Sequence, residues 1–407
     1  MKNINLKLGI IGFAFVFIYM LLFSKKFTYD EPYYLSNLQI VDSMGLGESF
    51  LKNMKGPAGP LYTYIHYFSL PITQGKVVLT RLINLLLSLG ILFSMYKIVK
   101  KIEPEQKNVP FLFFTIPMFY PCAGMALTEI PAMFFFVSSL LLLVFIFTKE
   151  DQLTRINEIG CFVLSGLLLS IAVSGRQPYL VCIAGLTPLF LFKNRQSTKI
   201  GIALFALTTV LIPIYLFNLW GGFAPRIGGN IATREFIKPL YFFYGLGYSF
   251  MIMAILSPYF FIRPNRKIFL TYAAFLPILF MIAIKINFSF VIAYSTMERI
   301  LPRFLLPFLG YLMAAFLIIT GVFFMHSLFQ RMYEKRDNRL FLIFALMLIL
   351  LLISNIKITH LFSSRYVFQA APLFILLASY YYKETKYTFL FHIVGVLIGV
   401  ASIMNYY

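Results

Sequence analysis

Two adjacent carboxylates, Asp30 and Glu31, follow an apolar run in a chain that otherwise carries few charges. The run covers 9–23 and reaches across much of a bilayer, so both acids are expected at a membrane surface. A carboxylate at a boundary between water and lipid could act as a general base towards a sugar hydroxyl. An interfacial turn with solvated acids is the alternative. The flanking tyrosines, which could stack on sugar rings, are Tyr29, Tyr33 and Tyr34.

A third acid, Glu129, stands between two apolar segments with almost no loop around it. The tip of a hairpin would hold this residue close to the membrane surface, where it is either functional or an exposed hairpin charge. Because charged groups are costly among apolar side chains, we favour a functional role.

Arginines occupy similar positions between apolar segments. Arg176 lies on a tight tip, where a guanidinium could bind a phosphate oxygen through two parallel hydrogen bonds. Snorkelling towards a lipid head group is the alternative. Arg365, Arg299 and Arg303 are of the same kind, whereas Arg81, at the start of the second apolar segment, could instead pair with a carboxylate.

The composition excludes a soluble globular protein. The 407 residues are 60% hydrophobic and 12% charged, whereas soluble domains carry about 25% charged residues. The formal charge of +20 would suggest a nucleic-acid partner in a soluble protein, but no basic helix or long basic run is present. The basic residues lie in short loops, where they set topology and meet lipid head groups. We therefore expect membrane lipids, and no nucleic acid, as partners.

About thirteen apolar segments approach the length that spans hydrocarbon. A spanning segment has to be helical, because every backbone polar group in lipid must bond internally. We expect an all-α polytopic integral membrane protein with about 11–13 transmembrane helices, in a single domain over 1–407. No small-residue cleavage site follows the first segment, which we interpret as a retained anchor. The segments are 6–24, 76–98, 109–126, 130–148, 159–174, 178–193, 200–220, 240–262, 268–284, 304–327, 340–356, 366–382 and 388–405.

The loops between these segments predict an orientation. With the amino terminus inside, roughly 20 of the 35 Lys and Arg residues fall in inner loops, which is a modest positive-inside bias. The outer loops are longer and richer in Gly, Pro and Tyr, and the largest, 25–75, carries the acid pair. The acids and Arg176 then share the outer face, where we expect any chemistry.

The sequence predicts no metal site. Cys122, Cys161 and Cys182 lie in apolar segments without metal-ligand spacing, and we interpret them as buried thiols. The four histidines are scattered, and the chain contains no P-loop, Rossmann or zincin pattern.

Four stretches in chain order carry a resemblance to a known group of enzymes. They are Tyr29-Asp30-Glu31 with the later Ala58-Gly59-Pro60-Leu61-Tyr62, the run from Arg81 to Gly90, the run from Thr128 to Phe135, and Gly175-Arg176-Gln177. Together with a late Arg365-Tyr366, they resemble the GT-C superfamily, which transfers sugars from polyprenyl-phosphate carriers at the non-cytoplasmic face. The most similar family is that of the dolichyl-phosphate-glucose-dependent α-1,2-glucosyltransferases. The four stretches cover roughly the first 190 residues, and the second half matches in hydropathy alone.

The resemblance implies an inverting hexosyltransferase, with glucose as the sugar and a lipid-linked glycan or other envelope acceptor. Asp30 is then the catalytic base, and Glu31 or Glu129 orients the acceptor or supports the base. No cofactor is required, although a divalent cation near the carboxylates is compatible with this chemistry. The residues expected to bind the phosphate or the substrate are Arg176, Gln177, Arg365, Arg81 and Tyr62.

Two other functions stay open. One is a GT-C enzyme that moves mannose or a pentose onto a glycan or protein. The other is a lipid or small-molecule transporter or flippase, but transporters tend to place charges near the bilayer midplane, whereas here the charges lie at segment ends. Short loops favour a bacterial inner membrane with the site facing outward. The endoplasmic reticulum membrane is the alternative, which the lone sequon Asn287-Phe288-Ser289 does not establish.

Overall fold

The computed structural model describes residues 4–192, 194–225, 238–261, 266–285, 287, 289, 302–357 and 362–405. Within these ranges the regular secondary structure is helical, without any β-strand. Nine of the described helices are long and apolar enough to cross a membrane. The chain is therefore an all-α integral membrane protein, as predicted. Arg299 and the central residue of the sequon at 287–289 lie outside the described residues.

The α-helices are numbered here in chain order. They are α1 (Ile4–Phe23), α2 (Glu31–Met44), α3 (Glu48–Asn53), α4 (Leu61–Thr73), α5 (Val77–Ile102), α6 (Phe119–Gly124), α7 (Glu129–Thr148), α8 (Arg155–Gly175), α9 (Gln196–Trp220), α10 (Pro239–Leu256), α11 (Arg266–Lys285), α12 (Leu305–Glu334), α13 (Arg339–Ser354), α14 (Arg365–Phe368), α15 (Ala371–Ser379) and α16 (Lys386–Met404). The nine that could cross a membrane are α1, α5, α7, α8, α9, α10, α12, α13 and α16.

Three of the predicted spans are not single long α-helices. The segment 109–126 folds as a 3-10 helix, Val109–Thr115, followed by α6, and 178–193 folds as the 3-10 helix Gln177–Leu191. The segment 366–382 divides into α14 and α15. Proline explains the interruptions, because it lacks an amide hydrogen and clashes with the preceding turn of an α-helix. The prolines in these segments are Pro110, Pro117, Pro121, Pro178, Pro188 and Pro372.

The predicted first loop, 25–75, is mostly helical and contains α2, α3 and α4. An apolar cluster that includes Val41, Phe50 and Leu216 packs α2 and α3 against the end of α9. The Trp220 indole donates a hydrogen bond of 2.8 Å to the Leu51 carbonyl at the same place. These contacts hold the segment on the bundle, so its position relative to the long helices is fixed.

The described helices form a bundle with two distinct ends. At one end, Arg195 pairs with Asp151 at 2.6 Å and Arg339 pairs with Glu150 at 3.0 Å, and this is called the Arg195 end. The antiparallel helices α7 and α8 return the chain to the other end. That other end, called the Asp30 end, holds Asp30, Glu129, Arg176 and Arg365.

Candidate active site

Four charged side chains meet at the Asp30 end, and each comes from the end of a different helix. Asp30 directly precedes α2, and Glu129 is the first residue of α7. Arg176 directly follows α8, and Arg365 begins α14. An acid at a helix N-terminus and a cation at a helix C-terminus both interact favourably with the helix dipole. The placements of Glu129 and Arg176 therefore suit the helices that carry them.

Arg365 joins the two predicted acids. Its Nη2 donates a hydrogen bond of 2.8 Å to Asp30 Oδ2, and its Nη1 lies 3.9 Å from Glu129 Oε1. The guanidinium also lies over the Tyr29 ring, 4.8 Å from its centroid, as in a cation–π contact. Arg365 thus links Asp30, near the amino terminus, to the start of α7.

Arg176 forms the second arm of the cluster. Its Nη2 donates a hydrogen bond of 2.5 Å to Glu129 Oε1, so that Glu129 lies between two guanidinium groups. Arg176 also faces the Tyr366 ring, with 5.7 Å between the guanidinium carbon and the ring centroid. One buried carboxylate therefore holds two arginines side by side.

The charge on Arg365 is secured by its neighbours. Burial alone would lower the pKa of the guanidinium, but Glu129, Tyr29 and Asp30 raise that pKa above its ordinary value. Burial likewise acts to lower the pKa of Arg176, but Glu129, Tyr34 and Tyr366 together outweigh it, so the net direction is also upward. Both arginines therefore stay cationic, and their like charges are held together by the carboxylate between them.

The arginines keep unused hydrogen-bonding capacity. Among the described residues, three buried atoms of the cluster have no hydrogen-bond partner: Arg176 Nε, Arg365 Nε and Glu129 Oε2. Buried polar atoms are nearly always paired in proteins, so unpaired donors in a cationic cluster point to an external acceptor. Guanidinium N–H groups match the oxygens of a phosphate in charge and in geometry.

The two acids differ in access to solvent. The Asp30 side chain is 37% exposed, whereas the Glu129 side chain is 1% exposed. A base has to reach the proton that it abstracts, so the accessible carboxylate is the better candidate. Tyr29, next to Asp30, has φ of 56°, in the left-handed region that bulky residues rarely adopt.

Glu31 and Arg81 lie in a separate buried network. Arg81 donates two hydrogen bonds to the Glu31 carboxylate, at 2.8 and 2.5 Å, and both side chains are fully buried. Glu31 also accepts hydrogen bonds from the Ala126 and Thr28 amides, at 2.7 and 2.8 Å. The predicted catalytic role of Glu31 and the predicted phosphate-binding role of Arg81 stay predictions. This geometry favours a positioning role for both. It agrees with the alternative given above, in which Arg81 pairs with a carboxylate.

The segment before Glu129 is held by three side chains. Glu31 binds the Ala126 amide, and Tyr62 donates a hydrogen bond of 2.7 Å to the Ala126 carbonyl. Asn84 donates to the carbonyls of Met125 and Leu127, at 2.9 and 2.8 Å. Tyr62 is buried, and its hydroxyl is used in this hydrogen bond, which stabilises the segment before Glu129. Its predicted contact with the substrate stays a prediction.

Gln177 and Gly59 join the segment between α3 and α4 to the end of α8. The Gln177 amide donates a hydrogen bond of 2.6 Å to the Pro57 carbonyl. A β-carbon on Gly59 would overlap the Ser174 carbonyl, so only glycine allows this approach. The segment therefore lies directly against the turn that carries Arg176.

Sequence reasoning missed the partners rather than the charged residues. Asn84 lies within the stretch from Arg81 to Gly90, which predicts no contact for it, and Ser24 and Thr28 belong to no motif. Ser24 accepts a hydrogen bond of 2.8 Å from Arg81 Nη1, and Thr28 donates its amide to Glu31. A small polar residue between an apolar run and an acid gives no signal of such a contact. Among the described residues, no group of three or more His, Cys, Asp or Glu side chains could hold a metal ion.

Comparison with known proteins gives structural neighbours only. No family model matches the chain, and no curated protein matches it. The crystal structure of ArnT from Cupriavidus metallidurans in the apo state is 13% identical, with a TM-score of 0.45, and the alignment covers 98% of this chain and 77% of that one. The same enzyme bound to undecaprenyl phosphate is 11% identical, with a TM-score of 0.44 and coverage of 100% and 89%.

A further neighbour is the oligosaccharyltransferase of Archaeoglobus fulgidus, tethered to an acceptor peptide. It is 13% identical, with a TM-score of 0.39. The alignment covers 95% of this chain and 56% of that enzyme, so this chain spans little more than half of its length. We therefore base the function on the geometry of the site.

Proposed function

We propose that the chain is a membrane glycosyltransferase of the GT-C type, which uses a polyprenyl-phosphate sugar as its donor. The observation that carries the proposal is one accessible carboxylate, Asp30, beside two buried arginines with unpaired Nε–H groups. A base and a cationic phosphate site, a few ångströms apart at one end of a membrane bundle, are the parts that such a transfer needs.

In the proposed reaction, Asp30 removes the proton from an acceptor hydroxyl. The acceptor oxygen attacks the anomeric carbon from the face opposite the carrier, and the bond between that carbon and the phosphate oxygen breaks. The configuration at the anomeric carbon is therefore inverted. The phosphate leaves with the bonding electron pair, and Arg176 and Arg365 stabilise the negative charge that develops on it.

Glu129 has a different task in this scheme. It is bound to Arg176 at 2.5 Å and is nearly inaccessible, so it fixes the two guanidinium groups rather than meeting the acceptor. These two arginines can stabilise the negative charge of a monophosphate leaving group, so we propose no requirement for a divalent cation. The charges of both acids are then already balanced within the protein.

The finer features of the proposal rest on the sequence resemblance. We propose glucose as the transferred hexose and a lipid-linked glycan as the acceptor, with mannose or a pentose and a protein acceptor as the alternatives. We further propose a bacterial inner membrane, with the Asp30 end facing outward. The charged residues of the Arg195 end fit the inner side, because basic residues concentrate there.

The test is transfer from a panel of radiolabelled polyprenyl-phosphate sugars in membranes that contain the protein. We expect one sugar of the panel to be transferred, and Asp30→Asn to lower turnover by about 10²–10⁴-fold, the usual contribution of a general base. Asp42→Asn is the matched control, because Asp42 is an exposed acid on the adjacent helix α2.

Two results would overturn the proposal. The first is the absence of transfer from every donor in a protein that is inserted and folded. The second is normal turnover by Asp30→Asn, since the only well-exposed carboxylate of the cluster would then be dispensable.

A further inference from the structure

A cavity of about 780 Å³ lies at the Arg195 end, far from the site described above. Its walls come from the turn after α10, from the last turns of α12 and from the segment between α15 and α16. Residues that matter for its chemistry are Tyr259, Arg331, Tyr381, Lys383 and Phe391. Tyrosine dominates the lining, which gives a surface that is apolar in its rings and polar at its hydroxyls.

Cations lie over aromatic rings around this cavity. The Arg331 guanidinium is 4.2 Å from the Tyr381 ring centroid, and Lys383 Nζ is 5.5 Å from that of Tyr259. At the rim, Lys335 Nζ is 5.8 Å from the Tyr380 centroid. The rings over which these cations lie belong to residues that line the cavity, so the positive charges are concentrated around it.

The two lysines are the available charges. Arg331 is committed to the protein, because it donates to the carbonyls of Tyr259 and Phe260 and to Glu334, at 3.1, 2.8 and 2.6 Å. No salt bridge joins Lys335 or Lys383 to a carboxylate within the described residues, although the Glu103 carboxylate lies close enough to Lys335 for their charges to attract. The two flanking segments, 331–339 and 383–386, contain six Lys or Arg against three Asp or Glu, so the local field is positive.

The cavity continues into an apolar stripe on α16. Phe391 lines the cavity and also belongs to a row of exposed apolar side chains along that helix. Exposed apolar residues one helical turn apart would lie against the hydrocarbon of a bilayer. The members of the stripe are Tyr387, Leu390, Phe391, Val394, Leu397 and Ile398.

We infer that this cavity binds the head group of an anionic phospholipid. The phosphate faces Lys383 and Lys335, the glycerol packs among the tyrosines, and an acyl chain leaves past Phe391 along α16. Basic pockets between helices on the cytoplasmic side are known to take such lipids. The combination of a cationic cavity with an adjoining lipid-facing stripe favours a lipid over a soluble anion.

The test titrates the purified full chain with phosphatidylglycerol, and counts bound lipid by native mass spectrometry. Phosphatidylcholine is the neutral lipid control, and glycerol phosphate is the free head group. We expect retention of phosphatidylglycerol alone, and a weakening of about fivefold for each of Lys383→Gln and Lys335→Gln. Phe391→Ala should weaken binding of the lipid as well, while Lys52→Gln, an exposed lysine at the Asp30 end, should leave it unchanged.

Three outcomes would overturn the inference. Equal retention of phosphatidylcholine would remove the role of the charge. Unchanged phosphatidylglycerol affinity in the double lysine variant would place the lipid elsewhere. Competition by glycerol phosphate at the same concentration as the lipid would identify a soluble anion site. The readout is lipid binding rather than sugar transfer. Failure of this inference can therefore be distinguished from failure of the proposed function.

Discussion

Arg365 and Arg176 supply the positive charges that make the cluster at the Asp30 end a candidate phosphate site. Both are held by Glu129, and both keep an Nε–H group without a partner among the described residues. The position of each arginine between apolar segments was visible in the sequence. Asp30 and Arg365 are separated by 335 positions in the sequence, and their contact could not be predicted because nothing local in either segment specifies the other.

Neighbouring residues can also differ in solvent exposure in a way that the sequence does not predict. Asp30 and Glu31 are adjacent acids, yet the Asp30 side chain is 37% exposed and the Glu31 side chain is fully buried against Arg81. Successive residues at the start of a helix point about 100° apart, so one faces the site and the next faces the bundle. Which of them faces inward depends on the packing of α2, which the local pattern does not encode.

Replacing Arg176 by lysine should weaken use of the donor. An ammonium lacks the planar fork of the guanidinium, and the loss of one charge-assisted hydrogen bond costs about 1.5–3 kcal/mol, or roughly 10- to 150-fold. We expect kcat/KM for the donor to fall by that factor, and further for Arg176→Ala. Arg195→Lys, at the opposite end and partly exposed, is the control. Equal kcat/KM for the Arg176 and Arg195 variants would limit Arg176 to a structural role as the partner of Glu129.

At the scale of elements, a buried hydrogen-bond network positions the start of α7. The Glu31–Arg81 pair, Tyr62 and Asn84 together fix the three residues 125–127, which lead into Glu129. The resemblance pointed to several of these residues, but as substrate contacts. The structure shows them bonded within the protein, because a carboxylate and an arginine without water both need partners nearby.

Removal of Glu31 should destabilise the protein. Glu31→Ala leaves the Arg81 charge buried without its partner, a change that typically costs about 3–5 kcal/mol. We expect a lowered midpoint of thermal unfolding in detergent. Glu48→Ala breaks an exposed pair with Lys52 and should cost about 1 kcal/mol or less. An unchanged unfolding midpoint together with lost turnover in Glu31→Gln would instead make Glu31 a catalytic residue.

Gly59→Ala tests the contact between the segment that joins α3 to α4 and helix α8. The added methyl group would overlap the Ser174 carbonyl and push the segment away from Arg176. Overpacking of this kind costs about 1–3 kcal/mol, and both the unfolding midpoint and the transfer rate should fall. The control is Gly160→Ala. Gly160 lies on α8, the helix that Gly59 contacts, and a β-carbon there would have nothing within 4 Å. Full activity of the Gly59 variant would show that this close approach is not needed.

At the scale of the whole molecule, the two ends of the bundle differ in chemistry. The Asp30 end holds the candidate active site, and the Arg195 end holds the basic loops and the tyrosine-lined cavity. Hydropathy was sufficient to predict a helical membrane protein. It was insufficient for the three spans that proline interrupts and for the helices within 25–75, since a sliding average of apolar character contains no term for helix breaks.

Cysteine labelling tests the opposite placement of the two ends. In a variant whose three native cysteines are replaced by alanine, we expect an impermeant reagent to label Asp42→Cys in intact cells. Asp151→Cys should be labelled only after the membrane is opened. Asp42 is exposed on α2, the helix that directly follows Asp30, and Asp151 is exposed at the Arg195 end. Labelling of both from one side would contradict the two-ended arrangement, and the reverse pattern would contradict the outward orientation.

The contact between Arg365 and Asp30 also has a consequence for biosynthesis. At about 5–20 residues per second, a ribosome takes roughly 20–70 s to travel from residue 30 to residue 365. Asp30, Glu129 and Arg176 are all synthesised before the end of that interval, so Arg176 is then the one arginine of the cluster that the chain contains. The cluster is therefore completed only by the last part of the chain. A nascent protein that stops before Arg365 would present an unfinished acidic cluster at the membrane surface, a local signal by which an incomplete chain differs from a complete one.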